Sequence, residues 1–226
     1  LAKEYGVDHF RFGHPNERKH EVDDSSYSVV RDMDKCIQCR RCVRTCIDLQ
    51  EVGVYEAINR GDETEIAAFM DKDLADVVCI NCGQCINRCP TGALRANDPR
   101  DEIWEAIDDP NKHVVMQTAP SPRAAIGEEF GLEPGTSVTR ELNTAIRRCG
   151  FDAVFDTNFT ADLTIIEEGT ELLLRLQDAL KNGKEVALPQ FTSCSPGWVK
   201  FIEHFYPEHL DNVSSAKSPQ QMFGAL

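Results

Sequence analysis

Ten cysteines dominate the chemistry open to this sequence, and eight of them fall into two runs of one pattern. The first is Cys36-x2-Cys39-x2-Cys42-x3-Cys46, and the second is Cys79-x2-Cys82-x2-Cys85-x3-Cys89, closed by Pro90. Thiolate sulfur is the ligand that iron–sulfur cubanes take, four to a cluster. Two-residue spacings let three sulfurs converge from one tight loop. The fourth, three residues on, points away and reaches a second cluster. The pattern predicts two [4Fe–4S] clusters, one on Cys36, Cys39, Cys42 and Cys89, the other on Cys46, Cys79, Cys82 and Cys85. Structural zinc takes two separated C-x2-C pairs rather than a triplet and a single, and a disulfide scaffold does not use this spacing. Such a pair of clusters passes electrons between redox partners. Ile47 stands where the second run has Pro90, and Gly53-Val-Tyr55 and Arg60–Asp76 between the runs read as structural. Cys149, in the stretch RRCGF, reads as a buried hydrophobe.

The elements that must position these residues follow from the sequence texture. Residues 1–33 open on a short helical-looking stretch and then turn polar, as a connector from an upstream domain does. Residues 34–96 form the cysteine-bearing repeat, and 97–111, bounded by Pro99 and Pro110, predict a helical linker. From 112 onward the chain changes. Short apolar runs at His113–Thr118, Phe151–Phe155 and Glu185–Leu188 predict strands. Amphipathic stretches at Arg140–Arg148, Leu163–Leu180 and Trp198–Phe205 predict helices, with Trp198 and Phe201 in the core. Strands alternating with helices predict a parallel α/β domain over 112–226. A chain that starts on Leu and stops at Leu226, inside a helical stretch, is expected to be a segment of something longer.

Composition narrows the partners. A net charge of −14 over 226 residues argues against nucleic acid, whose phosphates need a basic face. No apolar run approaches the roughly 20 residues of a membrane span. No signal peptide is visible, and free thiolates for metal predict a reducing, cytoplasmic setting. Neither G-x-G-x-x-G nor a P-loop is present, so no nucleotide site is expected. The six histidines show no ligand spacing, and His204 and His209 read as surface residues.

Beyond residue 112 several ordered stretches carry a resemblance. They are Thr118-Ala-Pro-Ser-Pro-Arg-Ala-Ala-Ile-Gly127, Phe155–Glu168 with Thr170-Glu171-Leu172, Phe191-Thr-Ser-Cys-Ser-Pro-Gly-Trp198 and Ser214-Ser-Ala-Lys-Ser-Pro-Gln-Gln221. Together they resemble the opening of the catalytic domain of [FeFe]-hydrogenases. The implied fold is an α+β ferredoxin-like two-[4Fe–4S] domain followed by the start of an α/β [FeFe]-hydrogenase catalytic domain. The family's active site joins a cubane to a two-iron centre (the H-cluster), which interconverts H2 with protons and electrons. By the same resemblance, Glu171, Ser214, Glu168 and Cys194 form a proton relay with Arg175 near its entrance. Ala119, Pro120, Ser121, Ser218, Pro219 and Gln220 line the H-cluster pocket. Glu168 and Glu171 alone would read as a solvated helix face, and the two pocket segments as helix starts with Ser and Pro in N-terminal positions.

Two departures stand out. The family's motif carries adjacent cysteines, whereas Ser195 follows Cys194 here, so either Cys194 takes the ligand role or the cluster site is altered. The family's later cysteine motifs are absent from these residues. The resemblance implies a subunit of a larger, multi-cluster hydrogenase, a hetero-oligomer fed by flavin/NAD(P)-binding iron–sulfur subunits or ferredoxin. Ser195 keeps open a hydrogenase-like assembly factor, sensor or relay without H2 chemistry. A plain ferredoxin fused to an unrelated domain does not explain the motifs after residue 118.

Overall fold

The computed structural model describes residues 4–7 and 20–226, so residues 1–3 and 8–19 of the expected helical start and connector lie outside the described residues. Contacts divide the chain into two units, Leu1–Asn97 and Asp98–Leu226.

In the first unit, strand β1 (Val29–Arg31) leads into the first cysteine loop. Helix α1 (Arg41–Arg44) then follows and opens into a π-helical turn over Thr45–Leu49. Strands β2 (Tyr55–Ile58) and β3 (Glu65–Ala68) form an antiparallel hairpin, and β4 (Leu94–Ala96) returns to pair antiparallel with β1. Val29, Val30, Val54, Tyr55, Ile66 and Leu74 are buried in its core. One charged pair is buried with them. Arg31 Nε donates to Asp23 at 3.2 Å, and Arg31 Nη2 donates to the Lys72 carbonyl at 3.1 Å. Burial raises the Asp23 carboxyl, but donors on Ser25 and Leu74, with Arg31, leave it below its ordinary value. A buried ion pair holds when its remaining hydrogen-bond capacity is met; these donors meet that of Asp23, whereas the buried Arg31 Nη1 has no hydrogen-bond partner and only approaches Asp71, at 3.9 Å.

The π turn explains Ile47. Thr45–Leu49 stays helical through Cys46, with the Gln50 amide donating to the Thr45 carbonyl at 3.0 Å. A proline at position 47 would disfavour helical geometry at Cys46. Cys89 is extended, with φ −77° and ψ 114°, a conformation that accepts Pro90 after it.

In the second unit, helix α2 (Arg100–Asp108) fills the span between Pro99 and Pro110. It packs closely, since Ile107 Cγ2 lies 2.6 Å from where a Cβ on Gly150 would sit. Strand β5 (Val115–Thr118) and helices α3 (Pro120–Ala125) and α4 (Thr139–Arg148) lead to β6 (Ala153–Asp156), which pairs parallel with β5. A parallel pair needs such a crossover, because no tight turn can reverse the chain twice. Helix α5 (Asn158–Leu180) follows, then α6 (Pro196–Phe205) and α7 (Pro219–Ala225). Helix α7 is held on α5 and β6: Thr164 Oγ1 donates to Met222 Sδ at 3.2 Å, and the Phe155 and Phe223 rings lie 5.2 Å apart.

Three expectations fail. Glu185–Leu188 is not a strand, because no neighbouring strand takes up its backbone; its Ala187 carbonyl instead accepts from Arg175 at 3.0 Å. Cys149 is exposed rather than buried: it caps the C-terminus of α4, where the helix ends before its inward face can cover it. Trp198 and Phe201 are half-buried rather than core, sharing an open aromatic cluster with Phe191, Phe205 and Tyr206. His204 and His209 lie on the surface, as expected.

Candidate metal centres and proton-relay site

The two cysteine loops share a backbone scheme that the residue types conceal. In the first, Gln38 (φ 56°) and Arg40 (φ 58°) are left-handed; in the second, Asn81 (φ 57°) and Gly83 (φ 70°) occupy the equivalent places. These turns curl each loop around a hollow. One hollow is lined by Cys36, Cys39, Cys42 and Cys89. The other is lined by Cys46, Cys79, Cys82 and Cys85. The fourth cysteine of each run thus stands in the other run's cavity. Cys46 reaches its place on the π turn, a helix distortion that recurs at functional sites.

The cavities suit cubanes better than single ions. Among the described residues, no three His, Cys, Asp or Glu side chains come together as a single-ion site requires. The thiols instead ring a space, as a cluster with sulfur ligands on separate irons requires. Backbone amides aim at the sulfurs: Gln38 N–H donates to Cys36 Sγ at 3.3 Å, Val54 N–H to Cys46 Sγ at 3.2 Å and Leu94 N–H to Cys89 Sγ at 3.4 Å. Burial pushes the free Cys42 thiol up to about 11 and Cys85 up to about 12. Burial also raises Cys89, but N–H donors from Leu94, Thr91 and Ala93 outweigh it and leave the thiol lowered. Deep thiols of this kind stay protonated near neutrality until metal displaces the protons. Tyr55, read as structural in sequence, lines both cavities, with its hydroxyl 3.9 Å from Cys85 Sγ. No spacing rule marks it.

In the second unit the residues of the expected relay gather only in part. Glu171, on the middle of α5, accepts from Ser214 Oγ at 2.5 Å, from Arg175 Nη2 at 2.6 Å and from the Ser215 amide at 3.1 Å. Ser214 is brought there because the Phe191 and Asn212–Ser214 segments exchange backbone hydrogen bonds of 2.8 and 2.7 Å. Arg175 is locked in turn by the carbonyls of Ala187, Asp211 and Val213. Burial raises Glu171, but Ser214, Arg175 and Ser215 more than offset it, and the carboxyl ends below its ordinary value. Glu168, one turn earlier on α5, is raised by burial and then by the Glu171 charge. Two neighbouring carboxyls pushed apart in this way are suited to hand a proton on.

Cys194 is not drawn into this group: it is exposed and makes no hydrogen bond among the described residues. Ser195 serves as the N-cap of α6, its Oγ accepting from the Trp198 amide at 3.4 Å. A serine committed to a cap is no substitute for a thiolate ligand. Cys149 and Cys194 are the only cysteines of the second unit and both are exposed, so these residues do not assemble the four-thiolate set of a further cubane. The expected pocket segments are tied through Gln117, which precedes the first of them. Ala119–Ser121 leave the C-terminal end of β5, and Gln117 Nε2, on that strand, donates to the Gln220 carbonyl at 3.2 Å. Thr157 Oγ1 donates to Gln117 Oε1 at 3.0 Å, fixing the amide between them. Ser218 caps α7 in a reciprocal capping box with Gln221. Beside them Arg123 makes a two-point pair with Asp156 at 2.9 and 2.7 Å. Ligands of α/β sheets gather at this C-terminal edge of parallel strands.

Comparison with known proteins agrees with both halves. Residues 26–95 match the ferredoxin-like domain of NADH-quinone oxidoreductase subunit 3, and residues 112–226 match the C-terminal domain of the iron-only hydrogenase large subunit. The NADP-reducing hydrogenase subunit HndD of Solidesulfovibrio fructosivorans is 52% identical over all of this chain, which spans 38% of that protein. Iron hydrogenase 1 of Clostridium pasteurianum is 45% identical over 93% of the chain and 36% of its own length. Among solved structures, an [FeFe]-hydrogenase of Chlamydomonas reinhardtii aligns with a TM-score of 0.52 and 46% identity, covering 57% of this chain and 32% of that one. The chain thus spans little more than a third of the length of the curated relatives it matches. With the hydrogenase model matched along half of its residues and a ferredoxin-like unit ahead of it, this chain belongs to the iron-only hydrogenase large-subunit family.

Proposed function

We propose that the first unit carries two [4Fe–4S] clusters and conducts electrons within an [FeFe]-hydrogenase subunit whose full-length form interconverts H2 with protons and electrons. The observation that carries this reading is the pair of cysteine-lined cavities, each with three sulfurs from one run and a fourth from the other. Cys36, Cys39, Cys42 and Cys89 would hold one cluster, and Cys46, Cys79, Cys82 and Cys85 the second. Bound clusters supply one-electron storage; the chain supplies the thiolates, the amide donors and the apolar walls that exclude water. In the second unit, Glu171 takes a proton on its carboxylate beside Ser214 and Arg175 and hands it toward Glu168. Cys194, exposed and outside the Glu171 group, is given no place in this relay, and Ala119–Ser121 with Ser218–Gln220 would line the H-cluster pocket. Cys149 and Cys194 alone do not supply the thiolates of that cluster. The electron partners are flavin/NAD(P)-binding iron–sulfur subunits or ferredoxin in a cytoplasmic hetero-oligomer. Among the described residues no helix is long and apolar enough to cross a membrane.

Iron and sulfide analysis of this chain, expressed and loaded without oxygen, tests the first part. About eight of each are expected from two cubanes, with reduced-cubane paramagnetic signals. Zinc in place of iron would overturn it. Infrared bands from metal-bound carbonyl and cyanide in the full-length protein test the second part.

A further inference from the structure

Tyr55 occupies an unusual place in the first unit. Among the described residues it alone lines both cysteine cavities, standing at the start of β2 opposite the small Ala68. It is 3% exposed, whereas Tyr5, Tyr27 and Tyr206 are all exposed. Its hydroxyl lies 3.9 Å from Cys85 Sγ, the outer range of an O–H···S contact. A phenol hydroxyl can donate as well as accept, and burial keeps water from replacing it at the sulfur. Hydrogen bonds to cluster sulfurs stabilise the more negative, reduced state and raise the potential. Burial matters as much as contact, since a low dielectric strengthens a hydrogen bond. The other cavity has a hydroxyl near a ligand too, Thr91 Oγ1 at 3.8 Å from Cys89 Sγ, but Thr91 is exposed and water can replace it.

We propose that the Tyr55 hydroxyl, set between the two cavities, donates to the Cys85 sulfur and selectively raises the reduction potential of the Cys46/Cys79/Cys82/Cys85 cluster. The consequence is a directional bias: an electron entering the pair resides longer on that cluster than symmetric sites would allow. Tyr55 acts through a ligand sulfur, so it is a positioning residue and not a catalytic one. The inference rests on the assignment of cubanes to both cavities.

The test is a potentiometric titration followed by electron paramagnetic resonance on the loaded chain carrying Tyr55→Phe. The signal that changes in Cys82→Ser marks the second cluster. Iron content and the two wild-type signals test the cubane assignment separately; wild-type protein lacking them overturns that assignment and this inference with it. With both clusters present, Tyr55→Phe should shift the marked cluster to lower potential and leave the other in place. As a second probe, 3-fluorotyrosine in place of all tyrosines strengthens the phenol donor without removing the ring. Tyr55 is the buried tyrosine, so the same cluster should shift upward. Unchanged potentials, equal shifts in both clusters, or a shift in the other cluster would overturn the proposal. If Tyr55→Phe loses iron, the fluorotyrosine protein decides alone: an upward shift of the marked cluster supports the proposal and none overturns it.

Discussion

The two units close their cores to very different degrees. Among the described residues, 14 of the 19 buried apolar residues lie in the first unit and 5 in the second, although the second has more residues. The first unit turns its apolar side chains onto two cysteine-lined hollows. On α5 of the second, Phe159, Ile166, Leu173 and Leu180 recur every seven residues and are 65%, 62%, 68% and 82% exposed. In the first unit all eight thiols that the proposed clusters would use line its own two cavities. In the second, polar contacts, above all the Glu171 group, hold the site side chains in place. The lesson is that a metal-binding unit can build its site from local loops, whereas a sheet-edge site depends on long-range ties.

The sharpest way to break that comparison is to remove one exchanged ligand. Cys89→Ala should empty the cavity of Cys36, Cys39 and Cys42, leaving about four irons of eight. Cys46→Ala should empty the other cavity. Loss from the mutated cysteine's own run instead would refute the exchange. Removing all metal should cost the first unit most of its folding free energy, since metal binding is folding energy in small sites. The second unit's melting should stay in place; calorimetry on loaded and chelated protein reads both at once.

The second unit is probed at Glu171. Glu171→Gln should cost about 1–3 kcal/mol by denaturant titration, because Arg175 loses its charge partner, with iron content unchanged. In the full-length enzyme the same change should slow H2 turnover, and normal turnover would count against the relay. The pH dependence follows in sign. A carboxyl held below its ordinary value of 4.5 contributes stability that is present above that value and lost as pH falls through the lower folded value. Wild-type protein should therefore lose more stability below about pH 4.5 than Glu171→Gln does. Parallel acid curves would show that the pairing is energetically silent.

The smallest effect compares the two cysteine loops with each other. Gly83→Ala, at φ 70° with the nearest atom 3.8 Å away, should cost about 1 kcal/mol from backbone conformation alone. Arg40→Gly, at the equivalent left-handed position, should gain a similar amount in stability. Chemical unfolding of the loaded proteins measures both, and equal signs for the two would reject the backbone symmetry of the runs.

Much of this was legible before folding was considered. Cysteine spacing is local chemistry, so the eight candidate ligands and their division into triplets could be read directly. The helices at 140–148, 163–180 and 198–205 follow their apolar periodicity, and Pro99 and Pro110 bracket α2. Glu185–Leu188 misled because apolar residues in a row describe a strand only when a neighbour supplies the ladder. Cys149 misled because burial belongs to the place where a helix stops, not to the residue type. Ile47 looked like a lapse from the pattern and is instead what a continuing helix requires.

By itself, then, the sequence determined the candidate ligand cysteines, the main helices of the second unit and the family, since each is written in residue chemistry within a few positions. Only the tertiary structure decided that Tyr55 stands between the two cavities, that Ser214 and Arg175 close on Glu171, and that Cys194 stays outside that group. Those are contacts between residues far apart in the chain. They exist because strand pairing, the Phe191–Ser214 backbone exchange and the packing of α7 on α5 bring them together, and no local pattern records such meetings.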